Sequence, residues 1–150
     1  MKYAMLGQSD LTNSTALYFH GGNFVLGNKD MLSPDYVDEL LGLGFGAVVS
    51  PNYRLGPTVS LLNGPVGDAR DSYLWSQTEL PTRLAEDSNV KLDGKRIVAI
   101  GHSAGGTLAL LLVRYPSIIY DLPLNITKIG VATTKATRYS RSFWHEVPQG

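Results

Sequence analysis

Arg96-Ile97-Val98-Ala99-Ile100-Gly101-His102-Ser103-Ala104-Gly105-Gly106 is the stretch that decides the fold. A short apolar run, Arg96 to Gly101, reads as a strand and passes without a spacer into Gly-x-Ser-x-Gly. Residues 104–114 are small and apolar and read as a helix, broken by Tyr115-Pro116. A chain that turns this sharply from strand to helix holds its serine, Ser103, in a strained conformation with the hydroxyl exposed. Gly101 and Gly105 omit side chains where the turn crowds the backbone. Ala104 opens the helix, so its N–H points to where an oxyanion would form. The bare pattern is weak on its own, and an ordinary serine in a glycine-containing turn would share it. Its place between strand and helix gives it weight. A phosphate-binding loop fits poorly, because no Lys follows the glycines and the dinucleotide spacing is absent.

Working outward, strands and helices alternate. Thr15 to His20 is a buried strand ending at Gly21-Gly22. Ser33-Pro34-Asp35 starts a helix, with Ser33 as N-cap and Pro34 at the first helical position. Its apolar stripe is Tyr36, Val37, Leu40 and Leu41, and Gly42 and Gly44 end it. Phe45 to Ser50 is a second strand. A second helix is expected from Asp68 to about Leu80, stopped by Pro81. A fourth strand is expected near Ile126 to Ala132. This alternation predicts an α/β fold, a central parallel sheet with crossover helices on both faces. The 150 residues read as one domain, 1–150, with 1–14 and 133–150 as poorly ordered ends.

Composition narrows the function classes. Formal net charge is zero, which gives no general reason for a nucleic-acid or anionic-membrane partner. Residues 1–127 hold nine Lys/Arg and twelve Asp/Glu (net −3), and 128–150 hold four and one (net +3), so the tail is mildly basic. Without cysteine there is no disulfide, thiolate catalysis or thiolate metal site. Residues 1–8 lack the apolar core of a signal peptide, and no run approaches the length of a membrane span; the expected location is the cytoplasm.

A second motif joins the first. The first strand ends in His20-Gly21-Gly22-Asn23-Phe24, where two glycines let the backbone bend with its N–H groups turned inward. With Ser50-Pro51-Asn52-Tyr53-Arg54-Leu55-Gly56-Pro57, Pro65-Val66-Gly67-Asp68 before Trp75, and Asp93 to Gly106, the chain resembles the hormone-sensitive-lipase-like branch of the α/β-hydrolases over residues 15–115. The resemblance implies a serine carboxylester hydrolase acting through an acyl-enzyme on Ser103. The N–H groups of Gly22, Asn23 and Ala104 would hold the oxyanion. Asn23 stands where the family has a third glycine; the backbone donor survives, but the side chain bears on the acyl site. Tyr53, Arg54, Asp68 and Trp75 are implied to be scaffold, with Arg54 and Asp68 as an ion pair, and His20 to brace the oxyanion loop. The implied partner is a small-molecule ester, with no nucleic acid, membrane span, metal or organic cofactor.

The triad is the difficulty. Serine needs a base, usually histidine oriented by a carboxylate, and in this fold the order is Ser, acid, His. After Ser103 the acids are Asp121 and Glu146 and the one histidine is His145. Asp121 follows a helix of about 18 Å that runs back from the catalytic edge, which leaves it too far to orient a base. His145 is the one remaining candidate for the base, in a segment unlike the family's histidine loop. The chain is thus expected to be truncated, without its terminal strands and lid, and impaired in catalysis. It would self-associate through an exposed sheet edge. The alternative is a non-catalytic ligand-binding or remnant protein on the same scaffold.

Overall fold

The computed structural model describes residues 2–5, 13–114, 128–130 and 145–146, with side chains over 13–112. Asp121 and most of the ends expected to be poorly ordered lie outside the described residues. Among the described residues the elements are β1 (Lys2–Met5), β2 (Thr15–Phe19), α1 (Pro34–Gly42), β3 (Ala47–Ser50), α2 (Gly67–Asp87), β4 (Ile97–Gly101), α3 (Ala104–Arg114), β5 (Lys128–Gly130) and β6 (His145–Glu146). They form a sheet of order β5-β4-β2-β3-β1-β6. β5, β4, β2 and β3 are parallel, while β1 pairs antiparallel with β3 and β6 pairs antiparallel with β1 at the edge. The sequence reading had no strand before Thr15 and none at 145–146. Both segments are short, and Met1 to Gly7 shows no alternation that would mark a strand.

Side-chain alternation divides the core into two layers. Leu17, Phe19, Ala47, Val49, Ile97 and Ala99 face α2 and α3, and pack with Tyr73, Leu80, Leu84, Leu108 and Leu112. Ala16, Tyr18, Val48 and Ile100 face the other way, against Val37, Leu40 and Leu41 of α1. Every residue of β2 and β3 is buried, as expected of strands covered on both faces.

The helix boundaries follow local chemistry, with one correction. At the start of α1 the Ser33 hydroxyl accepts from the Tyr36 N–H at 3.3 Å. At its end Gly44 takes φ +97°, and the N–H groups of Gly44 and Phe45 donate to Leu41 and Leu40 (2.9 and 3.3 Å). This paired arrangement needs a residue in the left-handed region. Pro81, expected to stop the second helix, sits inside α2, which continues to Asp87. Proline forfeits the bond to the carbonyl four residues back, that of Gln77, at about 3 kcal/mol. Leu80 and Leu84 on either side of it are fully buried, each contributing about 1.5–3 kcal/mol, and this offsets the loss. Gly94 lies directly against the Gln77 carbonyl, where any Cβ would collide with it.

After β2 the chain moves through α1 to β3 on one side, then through α2 to β4 on the other side of β2. The direction of travel therefore reverses between β2 and β4. Ligands of open α/β sheets bind outside the carboxyl ends of the strands at such a reversal. No helix among the described residues is long and apolar enough to cross a membrane.

Candidate active site

Ser103 and the loop after β2 meet at that reversal. Ser103 has φ +54°, a left-handed conformation that costs a non-glycine residue on the order of 1 kcal/mol, and its side chain is exposed. The strain is imposed by packing. A Cβ on Gly101 would strike the Gly105 carbonyl, and one on Gly105 would strike the Phe19 carbonyl. The His102 N–H donates to the Phe19 carbonyl at 3.2 Å, tying the turn to the end of β2. Gly105 and Gly106 donate to His102 and Ser103 at 2.9 Å, which closes the first turn of α3. As the first helical residue, Ala104 has an N–H that the helix leaves without an internal acceptor.

The β2 exit packs onto this turn. A Cβ on Gly21 would stand 3.1 Å from the His102 carbonyl oxygen and 3.3 Å from Ser103 Cβ. Beyond it Gly22, Asn23 and Phe24 take φ +119°, +54° and +61° in succession. Val25 and Leu26 donate back to the Gly22 carbonyl at 3.0 and 3.1 Å, which fixes the bend. Asparagine tolerates the left-handed region, so Asn23 can stand in for a glycine there. Phe24, a bulky residue in the same region, is held by packing against the main core and by the Gly56 N–H, which donates to its carbonyl at 2.7 Å.

His20 is buried beneath this loop. Its Nδ1 lies 2.7 Å from the Gly21 carbonyl oxygen, and its ring stacks on Tyr53 at 4.1 Å between centroids. The Tyr53 hydroxyl donates to the His20 carbonyl at 2.8 Å. Burial pushes the imidazole below its ordinary pKa, more than the Gly21 hydrogen bond raises it, which favours the neutral ring. Burial also pushes the Tyr53 phenol up to about 12, with a further rise from Tyr18. His102 is exposed, with its ring against Gly21. The Arg54–Asp68 ion pair expected from the sequence is present as a fork, Nη2 to Oδ1 at 2.8 Å and Nε to Oδ2 at 3.0 Å.

Gly21, Gly22, Asn23, Ser103 and Ala104 therefore come together at one edge, and His145 does not join them. Its backbone lies in β6, paired with β1. Four strand spacings of about 4.8 Å, roughly 19 Å along the sheet, separate β6 from β4. Asn52 and Gly56 were not singled out for any contact with the site, because their roles are contacts across the fold that no local pattern signals. Among the described residues no cluster of three or more His, Asp or Glu could hold a metal.

A family model described as the alpha/beta hydrolase fold matches residues 16–116, two-thirds of the chain. The chain belongs to that family. Among solved structures, a bacterial heroin esterase superposes with TM-score 0.63 at 29% identity, covering 81% of this chain and 36% of that one. The hyperthermophilic esterase of Pyrobaculum calidifontis gives 0.57 at 29% identity, covering 74% and 33%. These esterase neighbours agree with the hormone-sensitive-lipase-like resemblance and with an incomplete fold. Curated relatives are of another size altogether. The non-reducing polyketide synthase ausA of Penicillium brasilianum is 40% identical over 132 residues, covering 86% of this chain and 5% of that protein. The non-reducing polyketide synthase mapC' of Penicillium brevicompactum is 42% identical over 136 residues, covering 86% and 6%. The chain thus spans about a twentieth of these synthases and about a third of the esterases.

Proposed function

We propose that this chain is the nucleophile and oxyanion half of a serine acyl hydrolase, with Ser103 taking an acyl group from an ester or thioester. The reading rests above all on the contact between the two strand exits, which puts Gly21 against a Ser103 already in the left-handed conformation. Attack forms a bond from Ser103 Oγ to the acyl carbon, and the negative charge on its oxygen is met by the N–H groups of Gly22, Asn23 and Ala104. The bond to the leaving oxygen or sulfur then breaks, and that atom takes the proton. Water releases the acid and restores the serine.

The polyketide synthase relatives favour a polyketide acyl thioester over a simple ester. A synthase that grows a chain must finally part it from its carrier, and transfer to a serine achieves that. Since β6, which carries His145, lies four strands from β4, it brings no base to Ser103 among the described residues, and without a base turnover falls on the order of a million-fold against a complete triad. Oxyanion stabilisation is left to drive a slow first step.

Intact-mass analysis after incubation with p-nitrophenyl butyrate tests the proposal, since p-nitrophenolate leaves without an acid. A butyryl adduct is expected on the wild-type chain and not on Ser103→Ala, with turnover near background. The N-acetylcysteamine thioester of butyrate is expected to label Ser103 as well. No adduct from either donor would reject the hydrolase reading in favour of a non-catalytic protein on this scaffold.

A further inference from the structure

The loop that presents Gly22 and Asn23 is closed on itself by the Val25 and Leu26 N–H groups and is also tied from outside. Residues 52–56, the segment after β3, hold it at three separated points. The Asn52 Oδ1 accepts from the Lys29 N–H at 2.7 Å, beyond the bend. The Tyr53 hydroxyl donates to the His20 carbonyl at 2.8 Å, before the bend. The Gly56 N–H donates to the Phe24 carbonyl at 2.7 Å, within it. Three consecutive positive φ values lie between these ties. Backbone in that region relaxes when whatever holds it is removed.

The middle of residues 52–56 is in turn gripped by the side chain of Asp68. Asp68, in the first turn of α2, accepts the backbone N–H of Arg54 on Oδ2 at 2.6 Å and the Arg54 guanidinium on both oxygens. Arg54 Nη2 also donates to the Asn63 carbonyl at 2.7 Å. The carboxylate therefore grips the main chain between Tyr53 and Gly56, with a charged partner closing over it. A surface ion pair alone would matter little. The bond to the Arg54 N–H is different, because it sets a backbone position that two of the ties share.

We infer that Asp68 is a positioning residue for the oxyanion loop, acting through residues 52–56. This rests on the reading of Ser103 as an acylated nucleophile. Asp68 touches neither substrate nor Ser103; it holds the bend at which the Gly22 and Asn23 N–H groups are presented.

The test compares the full chain with Asp68→Asn and Tyr53→Phe, the second removing one hydroxyl from an otherwise unchanged ring. Amide hydrogen exchange is read at Val25 and Leu26, whose N–H groups close the bend on Gly22, and at Val98 and Ala99 in β4 as internal reference. The initial rate of butyryl adduct formation on Ser103 is read alongside. Both variants are expected to speed exchange at Val25 and Leu26 about ten-fold, the equivalent of one hydrogen bond, with β4 unchanged. Adduct formation should slow by a similar factor at unchanged half-saturating ester. A purely structural tie would leave exchange at Val25 and Leu26 as in wild type and speed it only near residues 54–56, and that result overturns the inference. If Asp68→Asn does not fold, Asp68→Glu, which keeps the charge but moves the carboxylate off the Arg54 N–H, decides by the same readout. Should the wild type form no adduct, the Ser103 reading fails while the exchange comparison still decides the brace.

Discussion

The exits of β2 and β4 lie side by side and carry left-handed residues, yet they are held in opposite ways. At the β4 exit the constraint is crowding. Gly101 lies against the Gly105 carbonyl and Gly105 against the Phe19 carbonyl, around a Ser103 in the left-handed region. At the β2 exit the constraint is partly borrowed, because a bend closed by the Val25 and Leu26 N–H groups is also tied from residues 52–56. Phe24 is tied by the Gly56 N–H, and His20 before the bend is kept in place by the hydroxyl and ring of Tyr53. Local crowding makes a rigid turn that is intolerant of added atoms. Borrowed hydrogen bonds make a turn that accepts substitution at its tip and yields when a distant group is changed.

Adding a methyl group should expose the first kind of constraint most sharply. In Gly105→Ala the new Cβ would stand 2.6 Å from the His20 carbonyl oxygen and closer still to Phe19, so β2 and α3 must separate. A loss of about 3 kcal/mol is expected by urea unfolding. Gly42→Ala, in α1 with nothing within 4 Å of the new atom, should gain about 0.5–1 kcal/mol from helix propensity. Equal effects at the two sites would mean that the elbow is not crowded as described.

This division also explains what the sequence revealed. The Gly101–Gly106 elbow, the Ser33 cap and the Gly44 termination depend on residues adjacent in the chain, and each was legible as a pattern. The parallel sheet and the helices on both faces followed from alternation of apolar runs, because burial on both sides leaves strands such as Ala47–Ser50 wholly apolar or small. Pro81 misled because its cost is local while the burial of Leu80 and Leu84 that outweighs it is tertiary. The ties from Asn52 and Gly56 to residues 29 and 24 were illegible for the same reason. The role of His145 as base, read from chain order, meets a sheet order that sequence did not supply.

Ser103 itself gives a smaller effect of opposite sign. Glycine has no penalty at φ +54°, whereas alanine keeps it, so Ser103→Gly should be about 1 kcal/mol more stable than Ser103→Ala. Both lack the Ser103 hydroxyl, which separates strain from chemistry. Identical thermal midpoints for the two would show that the elbow relaxes once the hydroxyl is gone. At the tip of the β2 exit the same pair of changes should be gentler. Asparagine already suits the left-handed region, so Asn23→Gly is expected within about 0.5 kcal/mol of wild type, with Asn23→Ala lower by about 1 kcal/mol. A larger loss for Asn23→Gly would reveal a stabilising contact of the Asn23 side chain.

The mildest perturbation is pH, and it should act on the β2 exit through His20. Burial keeps this imidazole below its ordinary pKa of 6.5 despite the bond to the Gly21 carbonyl. Below pH 6.5 the unfolded chain therefore binds a proton that the folded chain refuses until lower pH. More protons on the unfolded side means that stability rises with pH across this window. The contribution of neutral His20 is complete above pH 6.5 and is lost as pH falls toward the folded value. His20→Phe keeps a ring to stack on Tyr53 but cannot titrate. Its loss of the Gly21 hydrogen bond lowers stability equally at every pH, so the distinguishing quantity is the slope. Unfolding free energy measured in urea from pH 7.5 to 5 should fall less steeply for His20→Phe than for wild type. Superimposable slopes would mean that His20 can be protonated in place, and that the β2 exit opens to water more readily than its hydrogen bonds imply.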